Sequence, residues 1–486
     1  MRPPAWMLEC PRSAEGWLGV FRRFRRQRHA AGHQRTGTYS RRSPPWAHCA
    51  AIRCPMVKLQ WLQVNKFRSV KPGTRLTFNE GHNVLLGQNG TGKTTLLNLI
   101  AAAIKSDFTD FKDEEFDLSY ELASDKASAS VSIRNENRVL PISIPSNLKG
   151  ISALYSGALS SAGGLSASNV SFTAVVFSKS KGIKIEFDIN GKSGFVQRID
   201  EPTPRLSLDI IHPLVWTTMV LGLSKWCQRT PMMNDLFPDF MDLFFEVSTS
   251  RFDESLKYFD SLGQRELQVT QSADGQISSF GDLDPGGSIK EQITIRAKQE
   301  WGVDRYVLTD TDLPFLKRTV QLLDFESAEA IFELQDSTRS EQDSVMRLGN
   351  LRFYFRHRGG SKISEKMLSY GQKRMLAFMH YLASAKSTVV ADELVNGLHH
   401  GWIRACFELL GERQVFLTSQ NPLLLDYLGF QSPEDVRSTF VLCSWDKEAE
   451  QMIWENMSQE AAEDFFDSYK VGFQQVGELL QTKGLW

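Results

Sequence analysis

Regular alternation of apolar and polar positions begins at Met56. Residues 58–67, KLQWLQVNKF, alternate as a strand; 75–78 give a second short strand, and 82–86, HNVLL, a buried third. A glycine-rich stretch follows and leads into LLNLIAAAI at 96–104, an apolar run that reads as a buried helix. Near the other end of the chain, 373–384 has helical spacing and 387–391, STVVA, reads as a buried strand. Between these regions, 129–133, 172–177 and 183–189 read as strands, while 206–225 and 233–259 read as helices. The second helix carries Phe237, Phe240, Phe244 and Phe245 as an aromatic stripe, read as core with a partner-binding groove as the alternative. The Ser/Gly/Ala-rich stretch 152–169 and the segment 281–287 are expected as loops. Sustained heptads are missing, so the middle of the chain should be compact and not a long coiled coil.

Composition adds limits. With 41% hydrophobic and 23% charged residues over 486 positions, the chain is globular and long enough for two to four packing units. Its net charge of −1 gives no overall basic field for nucleic acid. Six cysteines without a CxxC pair argue against a disulfide framework or zinc site. The best apolar run, 210–223, falls short of a bilayer span and contains His212 and two threonines. A cytoplasmic protein without membrane contact is expected.

Residues 1–55 stand apart, with eleven Arg, no Lys and two acids, a net of +9 that leaves −10 on the rest. The expectation is translated upstream sequence with Met56 as the start. A basic nucleic-acid arm around FRRFRRQR and an organelle-targeting segment are the alternatives.

The glycine stretch has a defined chemistry. Gly87, Gln88, Asn89, Gly90, Thr91, Gly92, Lys93, Thr94 and Thr95 keep the G-x-x-x-x-G-K-[ST] spacing between a strand and a helix. Backbone amides released by the glycines, together with the positive helix N-terminus, suit phosphates. Lys93 would reach the β- and γ-phosphates of ATP, and the Thr94 hydroxyl would ligate Mg2+. Downstream, Ser369 in LSYGQ lies 276 residues after Lys93, and Asp392-Glu393 follows 23 residues after Ser369 at the end of the buried strand. There Asp392 would hold the metal through water and Glu393 would orient or deprotonate an attacking water.

GQNGTGKTT, LSYGQ and VVADE together resemble the ABC-type ATPase class that includes SMC proteins and RecF. The pattern is more similar to the smaller overcoming-lysogenization-defect-like and other anti-phage ATPases, among them the ATPase subunits of PARIS systems, which lack a fused nuclease. The resemblance covers 59–104 and 350–426, with a looser echo at 469–486. It implies an α/β P-loop NTPase whose core is split into 56–104 and 350–486; the strand patterns of the intervening 105–349 are read as a compact α+β insertion with an antiparallel sheet capping the nucleotide site.

The resemblance also implies site roles. Ser369, Gly371 and Gln372 would face the γ-phosphate bound by a second subunit, giving a homodimer or higher homo-oligomer closed through ATP. Asn396, in NGLH, would sense the opposite site, and Arg68, in KFRS, would lie near the nucleotide. Gln420 stands where relatives usually have His. It can hydrogen-bond a γ-phosphate but cannot carry a proton, so slow hydrolysis is expected.

No HExxH, GxSxG or nuclease-like acid cluster is present in the sequence, so a separate effector, nuclease or toxin, is expected as partner. The leading reading is a nucleotide-gated switch in anti-phage defence. The alternative is an ATPase that binds DNA in genome maintenance. The long insertion argues against a transporter subunit, and intact Lys93, Asp392 and Glu393 argue against an inert scaffold.

Overall fold

The structure, a computed structural model, describes residues 56–136, 170–179, 182–190, 193–199, 206–209, 243, 251–253, 255–281, 288–340, 343–385, 387–419, 421–472 and 475–485. In chain order the first elements are β1 (Lys58–Phe67), β2 (Thr74–Thr77), β3 (His82–Leu86) and α1 (Lys93–Lys105). Strands β4 (Phe116–Ala123), β5 (Ala127–Asn135), β6 (Val170–Ser178), β7 (Ile183–Asn190), β8 (Ser193–Arg198), β9 (Leu206–Asp209) and β10 (Arg251–Phe252) follow. Then come α2 (Lys257–Ser261), β11 (Leu267–Ser272), β12 (Ile277–Phe280), α3 (Ser288–Gln299), β13 (Arg305–Thr309) and α4 (Pro314–Leu323). The long hairpin β14 (Ser327–Arg339) and β15 (Asp343–Arg356) leads through β16 (Lys362–Ser364) to α5 (Tyr370–Ser384). The chain closes with β17 (Thr388–Ala391), α6 (His400–Leu410), β18 (Gln414–Thr418), α7 (Pro422–Leu425), α8 (Pro433–Thr439), β19 (Phe440–Asp446), β20 (Gln451–Asn456), α9 (Gln459–Val471) and α10 (Val476–Thr482).

Three sheets organise these elements. The central one runs β10-β17-β18-β3-β19-β20, parallel as far as β19 and antiparallel at β20. Its inner strands are covered on both faces, which explains their near-continuous apolar runs. Leu85, Val390 and Phe416 enter one core; Val389, Val415 and Leu417 enter a second, and Val84 and Leu86 a third. On the first face, α1 buries Leu96, Leu97, Leu99 and Ile100 together with residues of an eight-stranded antiparallel sheet ordered β2-β1-β4-β5-β6-β7-β8-β9. On the second face, α5 and α4 pack with the β12-β11-β15-β14-β13 sheet.

Gln414 ties the first sheet to the centre, since its amide donates to the Leu59 carbonyl and its oxygen accepts from the Leu59 amide, both at 2.8 Å. Hydrogen-bond pairs spanning hundreds of residues therefore fix the split core in one register.

The strands expected at 129–133, 172–177 and 183–189 are β5, β6 and β7 of one antiparallel sheet. Two helix expectations need correction. Residues 206–209, LSLD, form strand β9 paired with β8, because their strict alternation fits a sheet edge better than a helix face. Residues 251–252 form strand β10 on the central sheet, so a helix over 233–259 is interrupted there. Leu243 is helical and buried, whereas 152–169, 210–225, the stripe Phe237, Phe240, Phe244 and Phe245, and 282–287 lie outside the described residues, as do 1–55. Among the described residues no helix is long and apolar enough to cross a membrane.

Candidate nucleotide site

The glycine loop links β3 to α1, and its shape is enforced from behind. A Cβ on Gly87, at φ +146°, would stand 2.0 Å from the Cys443 carbonyl oxygen of β19. A Cβ on Gly92, at φ +87°, would stand 2.3 Å from the Met452 sulfur of β20. Trp454 Nε1 donates to the Thr91 carbonyl at 3.1 Å, so β19 and β20 form a wall against the loop. Gly90, at φ +86°, has nothing within 4 Å of its Cβ position, and Asn89 and Gly90 are exposed on the open side.

Helix α1 starts at Gly92 without a side-chain cap or an acid in its first turn. No side chain of the helix itself therefore occupies its N-terminal amides. Lys93 Nζ donates to the carbonyls of Gly87 at 2.6 Å and Gln88 at 2.9 Å, which holds the ammonium over the loop. Thr95 lies half-buried in the first turn beside it. This cradle fits phosphates.

Asp392 sits at the end of β17 and collects three donors. Its Oδ2 accepts from Thr94 Oγ1 at 2.9 Å and from Arg251 Nη1 at 3.2 Å, while Oδ1 accepts from Thr418 Oγ1 at 2.5 Å. The Thr94 hydroxyl and the Asp392 carboxylate form an oxygen-only pair suited to Mg2+, a hard cation that keeps several waters. Thr418 Oγ1 also accepts from the Glu393 amide at 2.9 Å. Glu393 itself is half-buried and takes a left-handed φ of 51°. Its carbonyl accepts from Arg374 Nη2, and Arg374 Nε donates to the Leu394 carbonyl at 3.3 Å. Arg374 is fully buried, with its guanidinium 5.1 Å from the Phe252 ring.

Ser369 caps α5. Its hydroxyl accepts from the Gln372 amide at 3.3 Å, and the Gln372 side chain accepts from the Ser369 amide at 2.9 Å, a reciprocal capping box. Ser369 and Tyr370 are exposed. Gly371 abuts the loop after the acid pair: a Cβ there would stand 2.8 Å from the Gly397 carbonyl oxygen, and a Cβ on Gly397 would stand 2.6 Å from the Tyr370 ring. Asn396 is exposed on that loop, with its amide donating to the Glu393 carbonyl at 3.1 Å.

The structure therefore joins Thr94 to Asp392 and seats the Ser369–Gln372 turn against the Asn396 loop. Arg68, at φ 45°, makes a bidentate pair with Glu114 at 2.6 and 2.7 Å and lies over the Phe67 ring; these contacts are not with the glycine loop. The Glu114 hydrogen bond raises the Arg68 pKa further. Gln420 lies outside the described residues.

Sequence reading missed Arg251, Thr418, Arg374 and Trp454. Thr418 could have been noticed as the polar end of the buried run QVFLT, and Arg374 as a charge on the apolar face of a helix. Nothing local marks Arg251.

A family model described as an AAA domain (AAA_23) matches residues 62–343, more than half of the chain, and the chain belongs to that family. With the strand–loop–helix and acid-pair geometry above, its class is an α/β P-loop ATPase. Solved structures similar to it include the SMC head domain from Thermotoga maritima, at 12% identity and TM-score 0.34, covering 82% of this chain and 99% of that one. Another is the Smc head domain with an extended coiled coil bound to the C-terminal domain of ScpA, from Pyrococcus furiosus, at 13% identity and TM-score 0.32, covering 85% and 100%. No curated protein matches the chain.

Proposed function

We propose that this protein binds and slowly hydrolyses ATP at composite sites between two copies, and that the closed dimer is a switch controlling a separate nuclease or toxin in anti-phage defence. The meeting of Thr94 and Asp392, from opposite ends of the chain, carries the nucleotide part of the reading. The loop amides and Lys93 would bind the phosphates, and Thr94 and Asp392 would hold Mg2+. The metal would supply charge neutralisation on the phosphate oxygens.

Glu393, whose backbone is held by Thr418 and Arg374, would orient the attacking water. Gln420 would bond the γ-phosphate without moving a proton, which favours a long-lived ATP state. Ser369, Gly371 and Gln372, at the N-terminus of α5, would close on the nucleotide of the second copy. The defence role is supported by the resemblance of LSYGQ and VVADE to the motifs of anti-phage ATPases. The compact sheets that stand in place of heptad arms among the described residues support it as well.

The test is mass spectrometry of what co-purifies with tagged Glu393→Gln protein from its native cell. A stoichiometric nuclease or toxin supports the switch, whereas DNA with repair proteins moves the function to genome maintenance.

A further inference from the structure

Strand β10 is only two residues long, yet it places a cation from the insertion on the carboxylate of the acid pair. It runs parallel to β17, with Arg251 opposite Val390 and Phe252 opposite Ala391, and the Asp392 amide donates to the Phe252 carbonyl at 2.8 Å. Arg251 Nη1 reaches Asp392 Oδ2 at 3.2 Å, the same oxygen that accepts from Thr94. The side chains of Arg251 and Asp392 are 23% and 14% exposed, so solvent screens the pair weakly.

The segment that follows is anchored at both ends. Asp253 pairs with Arg251 at 3.4 Å and accepts from the Ser255 amide at 2.9 Å, and Asp260 pairs with Lys373 of α5 at 2.5 Å. A small cavity lined by Arg251, Phe252, Phe259, His380 and Tyr381 lies between this segment and α5.

We propose that Arg251 is a positioning residue of the metal site: its guanidinium competes with the divalent cation for Asp392 and so sets the Mg2+ concentration at which nucleotide is held. A divalent cation held beside Asp392 through water and the Arg251 guanidinium on that carboxylate repel each other at short range. Metal binding therefore loosens Arg251, and β10 and α2 carry that change to α5. The inference rests on the proposed role of Thr94 and Asp392 as the metal-holding pair.

The test titrates MgCl2 into full-length protein with mant-ATP and follows fluorescence. Arg251→Gln, which keeps a hydrogen-bond donor without the charge, is expected to lower the Mg2+ midpoint about five-fold or more. Arg251→Lys is expected to keep the wild-type midpoint. A structural defect would weaken binding, the opposite direction. An unchanged or higher midpoint in Arg251→Gln, beside a normal wild-type curve, overturns the proposal alone. An equal loss of mant-ATP binding with and without Mg2+ also overturns it, because Arg251 would then be a phosphate ligand. A wild-type curve with no Mg2+ dependence overturns both this inference and the reading of the metal pair.

Discussion

Thr94 and Asp392 lie 298 residues apart in the chain and share a hydrogen bond of 2.9 Å. The contact closes a site whose two halves are separated by two antiparallel sheets. It exists because β3 and β17 flank β18 in one parallel sheet, so the loops at their C-terminal ends face each other. Replacing Thr94 by Ala or Asp392 by Asn should remove the Mg2+-dependent part of ATP binding, a loss of about tenfold or more, equivalent to about 1.4 kcal/mol per decade. Titration of nucleotide with and without EDTA checks this: the variants should give superimposable curves where the wild type does not.

The glycines of the loop are not equivalent. Gly90→Ala meets open space and carries only the left-handed backbone cost, about 1–2 kcal/mol. Gly87→Ala must displace the Cys443 backbone, which β3 and β20 hold in the central sheet. Gly87→Ala should therefore abolish ATP binding and lower the melting temperature sharply, whereas Gly90→Ala, on the open phosphate side, should weaken binding with a smaller loss of melting temperature. Paired melting curves and ATP-binding isotherms of the two variants measure the contrast.

Arg374 acts through the Glu393 backbone. Arg374→Met keeps much of the volume and removes the donors to the Glu393 and Leu394 carbonyls. Glu393 should then lose its fixed position, and kcat should fall about tenfold or more while ATP affinity changes little. Steady-state turnover and mant-ATP binding, measured on the same preparation, separate the two effects.

His82 stacks on Phe407 with ring centroids 4.6 Å apart, and burial lowers its pKa below the ordinary 6.5. The folded state therefore resists protonation more than the unfolded chain does. Stability linked to this ring should be complete above pH 6.5 and be lost as pH falls through the folded-state value. His82→Phe keeps the stacking and removes the titration, so denaturant midpoints of wild type and variant should diverge below pH 6.5 in favour of the variant.

What could be read from sequence follows from where each contact arises. The strand β3, the glycine loop and α1 are contiguous, so spacing and periodicity suffice to place them. Asp392 and Glu393 were legible because a buried strand ends in two acids. Arg251 was not, since its two-residue strand is defined by pairing with β17 and carries no periodicity of its own. The alternation of LSLD was readable as a strand, but the apolar run after it drew it into a helix. Arg68 was singled out by motif resemblance alone, and its bidentate pairing with Glu114, 46 residues on, had no signal in the local sequence.

The composite site is tested most directly by light scattering on Glu393→Gln protein with and without Mg-ATP. The mass should rise from 55.1 kDa to about twice that on adding Mg-ATP, and Ser369→Arg in the same background should prevent the rise. An unchanged mass in Glu393→Gln protein that demonstrably holds ATP would contradict the account.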